Sequence, residues 1–331
     1  MNSLQKKTYN SIDLFKLLMA IAVVAIHTNP IVKWKNPIAI HIVMMIEDWA
    51  VPFFFVASGF FLWNSDEKHM SQYIKKIIRL YCVWTFLSLP LSIYGYVISG
   101  NTVVSCILSY IKYFFFVGKL YNSYHLWYLL ALIYALFIIY YMRKKGCSVF
   151  TIFCCSIGIY LVSEFFLFGM DYQNKFPDGI RILVQIYQYV FNKGGIFSGF
   201  IFVALGMMIA EYRVEVNRWI VLVGTVVFVI ISMFSSEYLK QWIIIPEILF
   251  LFLFVLSIRI PDSNIWVACR KISTIIYLTH LIIYSMYSFV VIKNPNKLGF
   301  DSFLFTTIVC IGIALYVIKI SKENKIVKVL F

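Results

Sequence analysis

LWYLLALIYALFIIYYM, residues Leu126–Met142, carries no charged side chain and stops at Arg143-Lys144-Lys145. VFTIFCCSIGIYLVS, Val149–Ser163, then repeats the pattern. Lipid offers no partner to a backbone N–H or C=O, so an uncharged run of this kind crosses a bilayer as a helix, which takes about 20 residues. The whole chain shares the bias. It is 62% hydrophobic and 13% charged, against roughly 45–50% and 25% in an average soluble domain. The sequence therefore predicts an all-α, polytopic integral membrane protein with about ten transmembrane helices, at 11–28, 38–63, 77–100, 124–142, 149–169, 195–211, 216–234, 240–259, 272–292 and 301–320. The basic start and apolar run at the N terminus mimic a signal peptide. The run contains a His and leads into further spans, so it is read as a retained first span.

Charge orients these spans. With the N terminus in the cytoplasm, nineteen of the twenty-nine Lys and Arg fall inside. They are Lys6, Lys7, Lys16, Lys68, Lys75, Lys76, Arg79, Arg143–Lys145, Arg213, Arg218, Arg259, Arg270, Lys271, Lys319, Lys322, Lys325 and Lys328. The positive-inside rule selects this orientation and places both termini in the cytoplasm. The net charge of +14 is spread evenly over inner loops, which excludes a nucleic-acid patch. Residues 101–123 hold an apolar stretch, Val103–Val117, that is short for a span and broken by Lys112; it is expected as an interfacial or re-entrant helix on the outer side. Residues 170–194, with Asp171, Pro177, Asp178 and Arg181, read as a polar outer loop. A single membrane domain, 1–331, is expected, with no soluble appendage. Cys82, Cys106, Cys147, Cys154, Cys155, Cys269 and Cys310 show neither metal-ligand spacing nor a disulfide framework, and no metal is expected.

Ionisable groups inside a span are costly and mark function by default. The first span has Asp13, Lys16 and His27. Lys16 and His27 are eleven residues apart, about 20° past three turns and roughly 16 Å along the axis, so they share a stripe that also takes in Asp13. The bland alternative makes Lys16 a snorkelling anchor and His27 an interfacial residue before Asn29-Pro30. The second span holds Glu47-Asp48 ahead of Trp49-Ala50-Val51-Pro52. Two adjacent acids at depth need partners, and a carboxylate beside a His holds its tautomer and raises its basicity. Lys76 and Arg79 share a face and, with Lys16, suit phosphates, although basic residues there are also ordinary positive-inside sequence. His125 opens the fourth span beside Trp127 and Tyr128. His280 follows Tyr277 in a later span, where a packed hydrogen-bonding role is the alternative. His41 and His69 read as surface residues, and Glu164 and Glu247 as intramembrane acids without a nameable partner.

In order along the chain, these segments resemble acyltransferase family 3 of bacterial integral membrane proteins. The carriers are Ile12–Lys16 through Val23–His27, Val51-Pro52-Phe53-Phe54-Phe55 with Ser58-Gly59, Lys76-Ile77-Ile78-Arg79-Leu80-Tyr81, His125–Leu129 and Tyr277–His280. The resemblance implies a membrane-bound transferase with ten spans in a bacterial inner membrane. It would move an acyl group, acetyl above all, from cytoplasmic acyl-CoA to an extracytoplasmic carbohydrate or cell-envelope hydroxyl. His27 would be catalytic with Glu47 or Asp48 orienting it, Lys16, Lys76 and Arg79 would hold the CoA phosphates, and His125, Tyr277 and His280 would lie on the acceptor side. Membrane lipid, the glycan acceptor and a separate extracytoplasmic transferase are the expected partners; nucleic acid is not. Lys16 and Lys76 stand where the family commonly has Arg, and a Lys gives a point charge rather than a bidentate fork. Glu47-Asp48 stand where it often has an Arg. Tyr124–Tyr128 and Gly195-Ile196-Phe197 are similar to the membrane half of the membrane-bound serine racemases linked to vancomycin resistance. That likeness keeps small-solute transport, of serine for example, as the alternative. The chain ends at Phe331 without a racemase domain, which favours a stand-alone transferase at this stage.

Overall fold

A computed structural model describes residues 9–192, 195–213, 217–294, 297–321, 324 and 330–331. Lys6, Lys7, Lys193, Lys322, Lys325 and Lys328, which entered the charge count, lie outside the described residues. Among those described, every regular element is helical. The helices are α1 (Asn10–Thr28), α2 (Pro37–Trp63), α3 (Glu67–Leu87), α4 (Leu89–Ile98), α5 (Val103–Lys112), α6 (Trp127–Lys144), α7 (Val149–Tyr172), α8 (Asp178–Phe191), α9 (Ser198–Tyr212), α10 (Arg218–Met233), α11 (Glu237–Ser257), α12 (Asn264–Met286) and α13 (Phe300–Ile320). π-turns continue α5 over Tyr113–Val117 and α12 over Tyr287–Val291.

Each expected span has a helix at its place. Among the described residues, seven segments are long and apolar enough to cross a membrane: α1, α2, Tyr124–Lys144, Val149–Lys175, α11, Asn264–Val291 and α13. An eighth is α3 with α4, bent by 50°. Pro90 at the start of α4 accounts for the bend, because its ring cannot continue the preceding helix. Helices α9 and α10 are apolar but shorter, as is Val103–Val117. The outer loop expected at 170–194 is corrected: α7 runs on to Tyr172, and Asp178–Phe191 form the amphipathic α8. Its apolar residues recur at helical spacing between polar ones, and Val184 and Tyr187 pack on Met170 of α7.

The chain divides into two compact units. The first holds α1, α2 as far as Phe54, and α10–α13. Its core is Ala20 and Val24 of α1, Ile276 of α12 and Cys310 of α13, with Phe54 and Ile272 packed against them. Helices α1 and α12 run parallel. Asn10 Nδ2 donates to Asp262 Oδ1 at 2.7 Å, Asp13 pairs with Arg270, and His27 meets His280. Helix α13 returns antiparallel, with Gly299 N–H donating to the Thr28 carbonyl at 2.8 Å.

The second unit holds α2 from Phe55 onward and α3–α9. Here α2 and α9 approach backbone to backbone. A Cβ on Gly59 would strike the Val203 carbonyl, and one on Gly206 the Val56 carbonyl. Small residues at membrane helix contacts permit this dispersion-driven packing. Arg143 closes the end of α2: its guanidinium lies 4.9 Å from the Trp63 ring centroid and donates to the Ser65 carbonyl at 3.1 Å. The π-turn after α5 leaves carbonyls to outside donors, and Tyr81 and Tyr134 hydroxyls donate to Phe114 and Phe115 at 2.6 and 2.9 Å.

Candidate functional site in the first unit

Within the first unit, polar groups gather at two levels of the α1–α12 pair. At the start of both helices, Asp13 Oδ1 lies 3.7 Å from Arg270 Nε, and Lys16 is within electrostatic reach of both. The Asp13 carboxylate is 9% exposed and the Arg270 side chain 50%. A buried acid is thus tied to a cation whose outer half remains available. Asn10 fixes the entry of α12 by donating to the Ile260 and Pro261 carbonyls at 3.2 and 3.3 Å. The Arg270 backbone therefore starts from an anchored turn.

Three turns further on, the imidazoles of His27 and His280 stack with centroids 5.2 Å apart and planes 24° from parallel. His280 is fully buried. Its Nδ1 lies 3.1 Å from the Ile276 carbonyl and 2.8 Å from that of Tyr277. A carbonyl oxygen only accepts, so Nδ1 bears the proton and Nε2 carries the lone pair. The fold therefore selects one tautomer for this ring, whereas His27 sits on the stack as the partly exposed member. Tyr277, near 8% exposed, places its ring 6.3 Å from that of His280. Of the residues singled out in the sequence, His27, Tyr277 and His280 are thus brought together, and Lys16 lies on the same helix about three turns away.

Glu47 and Asp48 lie on α2 in this unit. Lys240 and Glu237 at the start of α11 act electrostatically on Asp48, and Lys240 pairs with Glu237 at 2.7 Å. Glu47 Oε1 is buried with no hydrogen-bond partner. Glu247, without a nameable partner in the sequence, accepts from Trp49 Nε1 at 2.8 Å and is 1% exposed. Both helices contain a proline beside these acids, Pro52 in α2 and Pro246 in α11.

The remaining candidates belong to the second unit. Lys76 and Arg79 share the exposed face of α3, opposite buried Ile74, Ile77 and Leu80. His125 is 3% exposed in the turn before α6, so it is no simple interfacial anchor. Trp127 beside it packs 6.3 Å from Phe55 and takes Lys119 over its ring at 5.8 Å. Burial there pushes the Lys119 ammonium below its usual range. His41 and His69 are exposed, as expected.

Sequence reasoning missed Arg270, absorbed into the count of inner positive charges. A signal was present: Arg270 precedes His280 by ten residues, much as Lys16 precedes His27 by eleven. Two parallel helices each carrying a cation and then a His at nearly the same rise bring both pairs to matching levels.

The curated relatives include two described as "Amino-acid racemase" from Enterococcus faecalis. One is 32% identical over 62% of this chain and 29% of its own length, the other 27% identical over 89% and 44%. A "Serine/alanine racemase" from Enterococcus gallinarum is 28% identical over 81% of this chain and 40% of its own length. The chain thus spans less than half the length of each. No solved structure matches it. A family model, the acyltransferase domain Acyl_transf_3, matches residues 9–319, and on that near-complete match the chain belongs to the acyltransferase 3 family of membrane proteins.

Proposed function

We propose that this chain transfers an acyl group, acetyl in the first instance, from cytoplasmic acyl-CoA to a hydroxyl of an extracytoplasmic glycan or envelope component in the bacterial inner membrane. The stacked His27–His280 pair carries the reading, three turns along the same two helices from Lys16 and Arg270. Lys16, with Lys76 and Arg79, serves the CoA phosphates, and the His level is where the thioester and acceptor meet. His27 takes the proton of the acceptor hydroxyl as its oxygen attacks the thioester carbonyl. The new C–O bond forms, the C–S bond breaks, and the proton passes from His27 to the departing CoA sulfur. Glu47 or Asp48 orients His27, and His125, Tyr277 and His280 line the acceptor side. No metal takes part in this scheme. Residues 1–331 act as one acyltransferase domain with ten spans and cytoplasmic termini; a separate extracytoplasmic transferase is a fitting partner.

Binding of labelled acetyl-CoA to purified protein tests this, beside a Lys16→Ala/Arg79→Ala double variant. Saturable binding lost in the variant is expected. Its absence from folded wild-type protein overturns the reading.

One observation favours the alternative, small-solute transport. Helices α2 and α11 each contain an interior proline beside an acid and are tied by Trp49–Glu247. Both helices run on through the proline, but each proline leaves a carbonyl without its helical donor, and freed carbonyls beside acids can take a solute or its ion. Uptake of serine by proteoliposomes without acyl-CoA would move the assignment to transport.

A further inference from the structure

Helices α10 and α11 form an antiparallel hairpin whose turn, Phe234–Ser236, joins them at one end. They are in close contact midway: a Cβ on Gly224 would strike the Phe250 ring, and Phe228 stacks on that ring at 5.4 Å. At the other end the helices part. A groove of about 680 Å³ opens there between the first turn of α10 and the last turn of α11. Arg218, Trp219 and Leu222 line one side; Phe254, Ser257 and Arg259 line the other, with Ile258.

The lining has a definite order. Both arginines sit at the rim, outside or at the end of the helices, while Leu222 and Phe254 lie one turn deeper. Trp219, with the Arg218 guanidinium 5.0 Å from its ring centroid, sits between. Among the described residues, no acidic side chain lines the groove. Its walls are fixed locally: Asn217 Oδ1 accepts from Trp219 N–H at 2.9 Å. The chain beyond Ile258 is held by Asn10 through the Ile260 and Pro261 carbonyls. Two cations over an apolar slot, with a Trp at the boundary, match a phosphate bearing acyl chains. The positive-inside orientation puts this rim at the cytoplasmic leaflet, whose surface is anionic, and basic pockets between transmembrane helices on that side hold anionic headgroups.

We propose that the α10–α11 groove is a binding site for an anionic phospholipid of the cytoplasmic leaflet, with Arg218 and Arg259 on the headgroup phosphate and Leu222 and Phe254 along an acyl chain. The proposal stands apart from the acyl-transfer reading, since none of these residues belongs to that site.

Native mass spectrometry of the full chain in mild detergent tests it, with phosphatidylglycerol, phosphatidylcholine and inorganic phosphate as probes. Wild-type protein should retain phosphatidylglycerol about tenfold or more over phosphatidylcholine, at roughly 1 kcal/mol per arginine near the surface. Inorganic phosphate should not compete at equal concentration. Arg218→Gln/Arg259→Gln should lose the preference, and Leu222→Trp, which fills the slot but keeps both charges, should lose retention. Equal retention of the two lipids by wild-type protein overturns the proposal, even if the variants fail to fold. So do full competition by inorganic phosphate, which would make this a free-phosphate site, and an unchanged preference in the folded double variant.

Discussion

His27 and His280 are two imidazoles in contact within a span, and the backbone decides what each can do. Because Nδ1 of His280 faces two carbonyls, its remaining nitrogen can only accept while the ring is neutral. His27, stacked on this ring, is the one proposed to take and return the proton. His27→Ala should abolish acyl transfer with the melting temperature intact. His280→Asn keeps an N–H donor near the two carbonyls but removes Nε2, and should lower transfer by about 10²-fold or more without unfolding. Single-turnover transfer from labelled acetyl-CoA measures both, and undiminished transfer in His27→Ala ends its assignment as the base. A second prediction concerns Asp13, whose buried carboxylate relies on Arg270. Arg270→Gln should cost about 1–3 kcal/mol by leaving that carboxylate under-compensated, and Asp13→Asn added to it should restore most of the loss. Thermal melts of the three variants decide this; a double variant no better than the single one would show the pair to be incidental. His27 and Lys16 were legible in the sequence because each interrupts an apolar run. Arg270 was not, because it sits among neighbours of like charge that any cytoplasmic boundary would carry.

At the level of elements, what was legible follows from what lipid demands. An uncharged run such as Leu126–Met142 has only one way to satisfy its backbone, and α6 forms there. Segments at the edge of the membrane are under no such compulsion. Asp178 and Arg181 made residues 170–194 read as loop, yet they pair with each other at 2.5 Å in the first turn of α8 and leave its apolar face to Met170. Close approach was equally hidden: nothing in Ser58-Gly59 or Leu205-Gly206 says that these glycines meet another backbone. Gly206→Leu should force α2 and α9 apart, costing at least the 1–3 kcal/mol of an overpacked core. A melting temperature unchanged from wild type would contradict that contact. The start of α3 gives a pH-dependent case. Asp66 accepts from the His69 N–H at 2.7 Å, and this bond, with the His69 ring beside it, holds the carboxyl below the usual carboxylate range. A depressed folded pKa adds stability that is fully present above the unfolded value, about 3.9, and lost as pH falls through the folded one. Protection of the first-turn amides of α3, taken relative to their intrinsic exchange rate at each pH, should therefore fall in acid, and Asp66→Asn should remove that pH dependence.

At the scale of the molecule, the parallel run of α1 and α12 limits the topology. Two parallel spans are separated by an odd number of crossings. The helices between them supply seven if α3 with α4 counts once, if the short α9 and α10 cross, and if Val103–Val117 does not. The 15 residues of α9 span only about 22 Å at 1.5 Å each, less than a hydrocarbon core of about 30 Å. Phe200–Met207 are nevertheless buried by protein inside the second unit, so little of α9 has to match the lipid. Lys112 lies over the Tyr189 ring of α8 at 4.9 Å, and Asn192 Nδ2 donates to the Tyr113 hydroxyl at 3.1 Å. These contacts tie Val103–Val117 to an amphipathic helix, as befits a segment that stays on one side. Native cysteines make the topology measurable, because Cys106, Cys147 and Cys269 are all free thiols with some exposure. In single-cysteine variants, a membrane-impermeant maleimide added to spheroplasts should label Cys106 and spare Cys147 and Cys269 until the membrane is opened. If Cys147 labels from outside, Val103–Val117 crosses after all. Everything from α6 onward would then invert, and Arg143–Lys145 would face out against the positive-inside rule. Labelling of Cys269 but not Cys147 from outside would instead show that one crossing counted between α7 and α11 is not made, which points to the short helices α9 and α10.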